Sequence, residues 1–203
     1  MNAPFSRSQD AGAVPVSQAA EGLARRAFTI SDVEAMTAAG IIPMDERLEV
    51  LGGEIVPMSP KGSRHEIIKV GIAAAWGSAR PVGYMVASET GLRLDEHTYL
   101  EPDFIIYRTD VKLPALKGPN VLLAVEIADS SIDYDLRRKP LIYAAYGVRE
   151  LWVVDAVRRV IHVHTDVGPG GYGMVTTHQE SDRLVPVTAP ADFALTLAAL
   201  PEV

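Results

Sequence analysis

The chain has 203 residues, of which 48% are apolar and 22% charged, with a formal net charge of −7 and no cysteine. That length supports one well-buried domain plus a tail, and the acidic balance excludes a broadly cationic nucleic-acid coat while leaving room for a small local site. The absence of cysteine excludes disulfides, zinc thiolates, iron–sulfur ligation and a thiol nucleophile, and fits a reducing compartment.

Residues 1–26 are rich in Ala, Ser, Gln, Gly and Pro and poor in large apolar side chains. Such a stretch cannot offset its ordering entropy by burial, so it reads as a mobile tail, with residues 27–203 forming a single domain. Order begins at Thr29. Ser31 and Glu34 have the spacing of a capping box ahead of a short helix that Gly40 ends. Residues 48–51 and 54–56 flank Gly52-Gly53 as a β-hairpin, and Pro57 and Pro60 stop its second strand. Over residues 63–79, Ile67, Ile68, Val70, Ile72 and Trp76 recur at helical spacing. Strands are predicted at 84–88, 92–95 and 104–107.

The run 121–127 is the most apolar in the chain and predicts a central strand buried on both faces. A helix is expected over about 133–146, ended by Gly147, with Pro140 either kinking it or lying near its start. Residues 151–154 form another strand, and 160–165 pair with 172–177 across a Gly-Pro-Gly-Gly turn. Strands alternating with helices, some joined by hairpins, give a mixed α/β or α+β sheet. The apolar runs 72–76 and 121–125 fall far short of the roughly 18 residues that span a bilayer. No basic segment followed by an apolar stretch opens the chain, so a soluble cytoplasmic protein without a membrane partner is expected.

Three polar residues are hard to explain as packing. Pro102-Asp103 precedes an apolar strand, and Glu126 closes the most apolar one, where a carboxylate is costly to bury unless paired or bound to a cation. Lys139 follows on the next helix. Two carboxylates suit Mg²⁺ or Mn²⁺, and a nearby ammonium can orient a water and stabilise a pentacovalent phosphate. Spacing alone leaves a blander alternative open, since Pro-Asp pairs initiate turns and Glu126 can pair with Arg137 or Arg138. Local charge agrees in part: residues 131–160 carry six basic and four acidic side chains, whereas 89–110 carry two and six. An acidic pocket beside a mildly basic face suits a metal-dependent nuclease, although solvated helix faces explain the same pattern.

The run Glu49-Val50-Leu51-Gly52-Gly53-Glu54-Ile55-Val56-Pro57-Met58-Ser59-Pro60, followed by His65, resembles the opening of the bacterial putative restriction endonuclease (Uma-type) family. Glu101-Pro102-Asp103, Val125-Glu126-Ile127, Asp135 with Lys139 and Tyr143, and residues 147–155 continue the resemblance, which spans roughly residues 28–180. The family belongs to the PD-(D/E)XK nuclease superfamily. The resemblance therefore implies a restriction-endonuclease-like core, a central mixed β-sheet flanked by helices with additional β-hairpins. It implies that Asp103 is the metal-binding Asp and that Glu126 is the second acidic ligand; on a metal-dependent reading the backbone carbonyl of Ile127 adds a further one. The superfamily's usual Lys falls at Ala128, and Lys139 from the following helix takes its place. Glu49 matches an acidic residue that completes the metal shell, and His65 a recurrent helix His with no assigned role. One departure stands out: the family's Ser-Pro-Ser-Thr is Asp129-Ser130-Ser131-Ile132 here, which puts metal affinity and activity in question.

Other motifs carry less. His65-Glu66-Ile67-Ile68-Lys69 begins like a zinc-protease helix, but Lys69 cannot supply the second His ligand. His162 and His164 alternate on a strand and could chelate a metal, but an exposed face of an edge strand explains them more simply. Residues 168–173 are glycine-rich yet lead into a strand, so they form a hairpin turn rather than a phosphate loop. No Gly-x-Ser-x-Gly elbow is present, and Trp76 and Trp152 read as core. The expected function is Mg²⁺-dependent (or Mn²⁺-dependent) endonucleolytic hydrolysis of DNA, with Asp103, Glu126, Lys139 and Glu49 in catalytic roles. Cutting both strands favours a homodimer. The rivals are a non-catalytic binding or assembly protein on the same fold and a hydrolase of another phosphate ester.

Overall fold

The computed structural model describes residues 16–17, 25–129 and 132–202. Most of the predicted tail lies outside the described residues; within it, β1 (Val16–Ser17) and β2 (Arg25–Arg26) pair antiparallel. The chain divides into two compact units, one comprising the described residues up to Met58 with Gly91–Glu101, the other Ser59–Thr90 with the chain from Pro102 onward.

In the first unit, α1 (Ile30–Ala38) is capped by Thr29. Thr29 Oγ1 accepts from the Asp32 N–H at 3.0 Å, and the Thr29 N–H donates to Asp32 Oδ2 at 2.8 Å. The capping box thus starts two residues before the predicted Ser31–Glu34 pair. Ile30 and Val33 are the buried residues of the helix, so its first turn must already be helical at Ile30. The predicted hairpin forms as β3 (Leu48–Leu51) and β4 (Glu54–Pro57). Gly52 and Gly53 both take positive φ, as a tight two-residue turn requires. Gly53 has a second reason to be glycine: a Cβ there would lie 2.4 Å from that of Ala27. The chain then contributes α2 (Ser63–Ala79) and β5 (Tyr84–Ser88) to the second unit before β6 (Leu92–Arg93) and β7 (Tyr99–Leu100) complete the first unit's sheet, ordered β4-β3-β7-β6.

The second unit continues with β8 (Phe104–Arg108), β9 (Val121–Ala128), α3 (Ile132–Arg137), α4 (Lys139–Ala145), β10 (Leu151–Asp155), β11 (Val160–Gly168) and β12 (Gly171–Gln179). Its six-stranded sheet runs β12-β11-β10-β9-β8-β5, and β9 with β10 is the parallel pair, joined by the α3–α4 crossover. The mixed sheet flanked by helices matches the expected fold class. The single helix predicted over 133–146 is broken at Arg138, because Pro140 has no N–H to donate and is tolerated only in a first turn, here that of α4.

One face of the sheet packs against α2. Ile68, Ile72 and Trp76 meet Phe104, Ile106, Leu123, Val125, Ile127, Trp152 and Val154, and the Trp76 ring lies 5.7 Å from Phe104 and 5.9 Å from Phe193. Both tryptophans are fully buried, as expected. The C-terminal stretch adds Phe193, Leu195, Leu197 and Leu200 to this core through short 3₁₀ turns without sequence periodicity. Glu150 pins that stretch. Its buried carboxylate accepts from Trp152 Nε1 at 2.8 Å, from the Val187 and Thr188 N–H groups at 2.8 and 2.9 Å, and from Thr188 Oγ1 at 3.0 Å. Glu150→Ala is expected to destabilise the fold by about 3 kcal/mol, since each buried donor left unmatched costs roughly 1–3 kcal/mol and water rescues some of them. Urea denaturation checks this, and a loss below about 1 kcal/mol contradicts it. No described helix is long and apolar enough to cross a membrane.

Candidate active site

The sequence-predicted residues of the second unit fall into two groups, His65 with Asp103 just before β8 and Lys139 with Glu126 near the end of β9. The antiparallel register of β8 and β9 ends at the Phe104–Val125 pair, and Asp103 and Glu126 each lie one residue beyond it. Both are buried, each with 3% of its surface exposed. Asp103 Oδ2 accepts the Ile127 N–H at 2.7 Å, taking the place of a ladder partner just beyond the end of β8. Its Oδ1 accepts from Lys61 Nζ at 2.7 Å and lies 3.0 Å from His65 Nε2. Burial is the strongest influence on Asp103 and pushes its pKa up. His65 and Lys61 together outweigh it and hold the carboxyl at about 2.

Glu126 faces away from the α2 core, because the alternate residues Val125 and Ile127 belong to that core. There α4 covers it. Lys139 Nζ lies 3.0 Å from Glu126 Oε2 and 3.5 Å from Asp135 Oδ1, and Tyr143 OH donates to Glu126 Oε1 at 2.5 Å. Glu126 therefore pairs with Lys139, while Arg137 lies on the surface, 3.7 Å from Asp133. Asp135, Lys139 and Tyr143 lie at i, i+4 and i+8, which brings all three to one side of the crossover.

His65, in the first turn of α2, is buried, and its Nδ1 has no hydrogen-bond partner. That nitrogen lies 3.4 Å from Glu66 Oε1 without forming a hydrogen bond. Glu49 belongs to the first unit, where its Oε1 accepts the Glu101 N–H at 3.3 Å. Asp129, the departure from the family pattern, has a local structural role. Its Oδ2 sits where a Cβ on Gly62 would approach to 2.2 Å, and Gly62 caps α2 without a side-chain hydrogen bond. An acid there favours the helix dipole. Ser130 and Ser131 lie outside the described residues.

Two residues that the sequence reading passed over join this site. Lys61 Nζ bridges Asp103 to Glu89, whose Oε1 accepts it at 2.5 Å. Lys69 Nζ lies 3.2 Å from the same Glu89 oxygen and 2.7 Å from Glu66 Oε2. The hydrogen bond from Lys61 is the main reason that Glu89 titrates at about 2, with burial opposing it. Glu89 follows β5 with φ +47, and its N–H donates to the Asp103 carbonyl at 3.2 Å. The one sequence signal was the position of Lys61 just ahead of α2, next to its N-cap Gly62.

A hard divalent cation fits the donor chemistry, because two buried carboxylates from adjacent strands each already attract an ammonium group, Lys61 on Asp103 and Lys139 on Glu126. Among the described residues no group of three or more His, Asp or Glu side chains is assembled around one point.

His162 and His164 share a face of β11, but β11 lies between β10 and β12 and is not an edge strand. His162 Nδ1 lies 3.0 Å from Thr177 Oγ1, while His164 is buried with its Nε2 unpartnered. Burial, helped by the neighbouring His162, depresses the His164 pKa to about 4. A histidine that stays neutral when folded is protonated first in the unfolded chain, so stability falls as pH drops from about 6.5 toward 4. Asp103, held at about 2 against an ordinary 3.8, adds a second loss as pH falls from about 4 toward 2. Unfolding free energies measured from pH 8 to 3 should show the first decline, and His164→Gln should flatten it. An unchanged slope in that variant contradicts the assignment.

The solved structure of an Anabaena variabilis protein described as a putative nuclease belonging to DUF820 matches with a TM-score of 0.59 at 16% identity. That match covers 84% of this chain and 96% of the other, and at such identity it speaks to the fold. No curated protein matches. The family model Uma2, described as "Putative restriction endonuclease", matches residues 31–198, and the chain belongs to that family.

Proposed function

We propose that this protein is a divalent-metal-dependent endonuclease that hydrolyses DNA phosphodiesters, with Mg²⁺ or Mn²⁺ held by Asp103 and Glu126. The observation that carries this reading is that buried Asp103 and Glu126 each lie one residue beyond the last β8–β9 pair, with Lys139 on Glu126. Family membership and the fold support it. Bound there, a divalent ion supplies Lewis-acid activation of water and neutralisation of phosphate charge.

The chain's own residues do the rest. The Ile127 N–H and His65 orient Asp103, while Tyr143 and Lys139 fix the two oxygens of Glu126. Lys139, steadied by Asp135, orients the attacking water and adds positive charge beside the phosphate as the transition state develops. The Ile127 carbonyl is a further candidate ligand of the ion. A two-fold dimer would place two such sites on the two strands of a duplex.

Tyr143→Phe is expected to slow cleavage roughly tenfold while binding of DNA is retained, the size of one charge-assisted hydrogen bond lost from an oriented ligand. An unchanged rate contradicts the positioning role. The function itself is tested with supercoiled plasmid, linear duplex and single-stranded DNA in Mg²⁺, Mn²⁺ or EDTA. Metal-dependent nicking or linearisation is expected, and intact DNA under every condition overturns the proposal. A second reading, a binding protein on a nuclease-like fold, draws on the ammonium partners that the acids already have. DNA binding without cleavage in the same assay would favour it.

A further inference from the structure

Lys61 makes no contribution to the mechanism above, yet it occupies a telling position. Its ammonium lies 2.7 Å from Asp103 Oδ1 and 2.5 Å from Glu89 Oε1, between carboxylates from the start of β8 and the end of β5. Its side chain is only 12% exposed. Three carboxylates, Glu66, Glu89 and Asp103, face two ammonium groups, Lys61 and Lys69, in this cluster. The cluster also contains a buried ring nitrogen that nothing satisfies. His65 is 4% exposed, its Nε2 is on Asp103 Oδ1, and its Nδ1 faces Glu66 without a hydrogen bond. Buried polar atoms without partners are rare, and each calls for an explanation.

We infer that the position of Lys61 Nζ is a divalent-cation position, that Glu89 is an additional carboxylate ligand there, and that Lys61 is a built-in competitor for it. The inference rests on the proposed metal-dependent reading of Asp103. Charge explains the exchange. An ammonium carries one positive charge against the two carboxylates it bridges, whereas a divalent ion neutralises both. The displaced Lys61 ammonium is then free to meet an anionic ligand such as a phosphate. An ordinary lysine on a flexible stem can make that move, because its charge is a point that needs no fixed fork geometry.

Mn²⁺ titration by calorimetry at pH 7.5 tests this with the full-length wild type, Lys61→Met, Lys61→Gln, Glu89→Gln and Asp103→Asn. Circular dichroism melts confirm folding, and Lys61→Gln keeps a hydrogen-bond donor should Lys61→Met fold poorly. Removing the ammonium is expected to tighten Mn²⁺ binding by tenfold or more, and Glu89→Gln to weaken it by a similar factor. If wild-type binding is abolished by Asp103→Asn but unchanged or weakened in both Lys61 variants, the inference fails and the metal-dependent reading stands. If Glu89→Gln binds as the wild type does, Glu89 is not a ligand. If neither the wild type nor any Lys61 variant binds Mn²⁺, both the inference and the metal-dependent reading are overturned. Binding by the Lys61 variants where the wild type shows none supports the inference in its strongest form.

Discussion

Lys139→Met should be the most damaging single substitution in the second unit, costing roughly 3–5 kcal/mol of stability. The methionine keeps most of the volume, so the loss isolates the charge. Lys139 lies among buried groups, and its removal leaves Glu126 and Asp135 without their shared ammonium. The attraction between the buried charges is not what this number measures; desolvation offsets much of that attraction. It measures the cost of stranding an acid in a low-dielectric interior. Glu126→Gln in the Lys139→Met background should therefore recover part of the loss, and chemical denaturation of the four-member cycle reads the coupling directly. Additive losses would show that Lys139 and Glu126 do not act as a pair. Cleavage measured below the melting transition should fall at least about 10³-fold, near 4 kcal/mol of barrier.

Asp103→Asn separates chemistry from folding more cleanly. The amide keeps one oxygen that can accept the Ile127 N–H, so the strand end retains its cap. What it loses is the charge that Lys61 and His65 answer. Cleavage should drop roughly 10³-fold or more, whereas stability should fall only about 1–3 kcal/mol, the range for a buried hydrogen-bonding site left partly unmatched. Assays against increasing Mn²⁺ add a second readout. A variant that regains full rate at high metal has lost affinity alone, and a variant that cleaves as well as the wild type at every concentration contradicts the role of Asp103.

Much of the second unit was legible in the sequence because its elements carry strong periodic signals. Residues 121–127 read as a buried strand since the sheet is covered on both faces, and they lie within β9. Asp103, Glu126 and Lys139 stood out because charge is expensive at apolar strand ends. The break at Arg138 was only half legible: Pro140 announced an irregularity without saying that a new helix begins just before it. The C-terminal stretch was silent because its core residues Phe193, Leu195, Leu197 and Leu200 sit on irregular backbone, and the Val187 and Thr188 N–H groups ahead of them are held by the Glu150 carboxylate, 37 and 38 residues earlier in the chain. Lys61 and Glu89 were missed for a related reason. Their partners lie 42 and 28 residues away, and no local pattern distinguishes a loop charge in contact with Asp103 from one in water.

The account stands on one divalent ion shared by Asp103 and Glu126 beside Lys139. Anomalous diffraction from crystals soaked in Mn²⁺ addresses it most directly. The expected result is a strong peak about 2.1 Å from a carboxylate oxygen of each acid, whether or not a further ion takes the place of Lys61. The absence of any peak shared by Asp103 and Glu126 would contradict it.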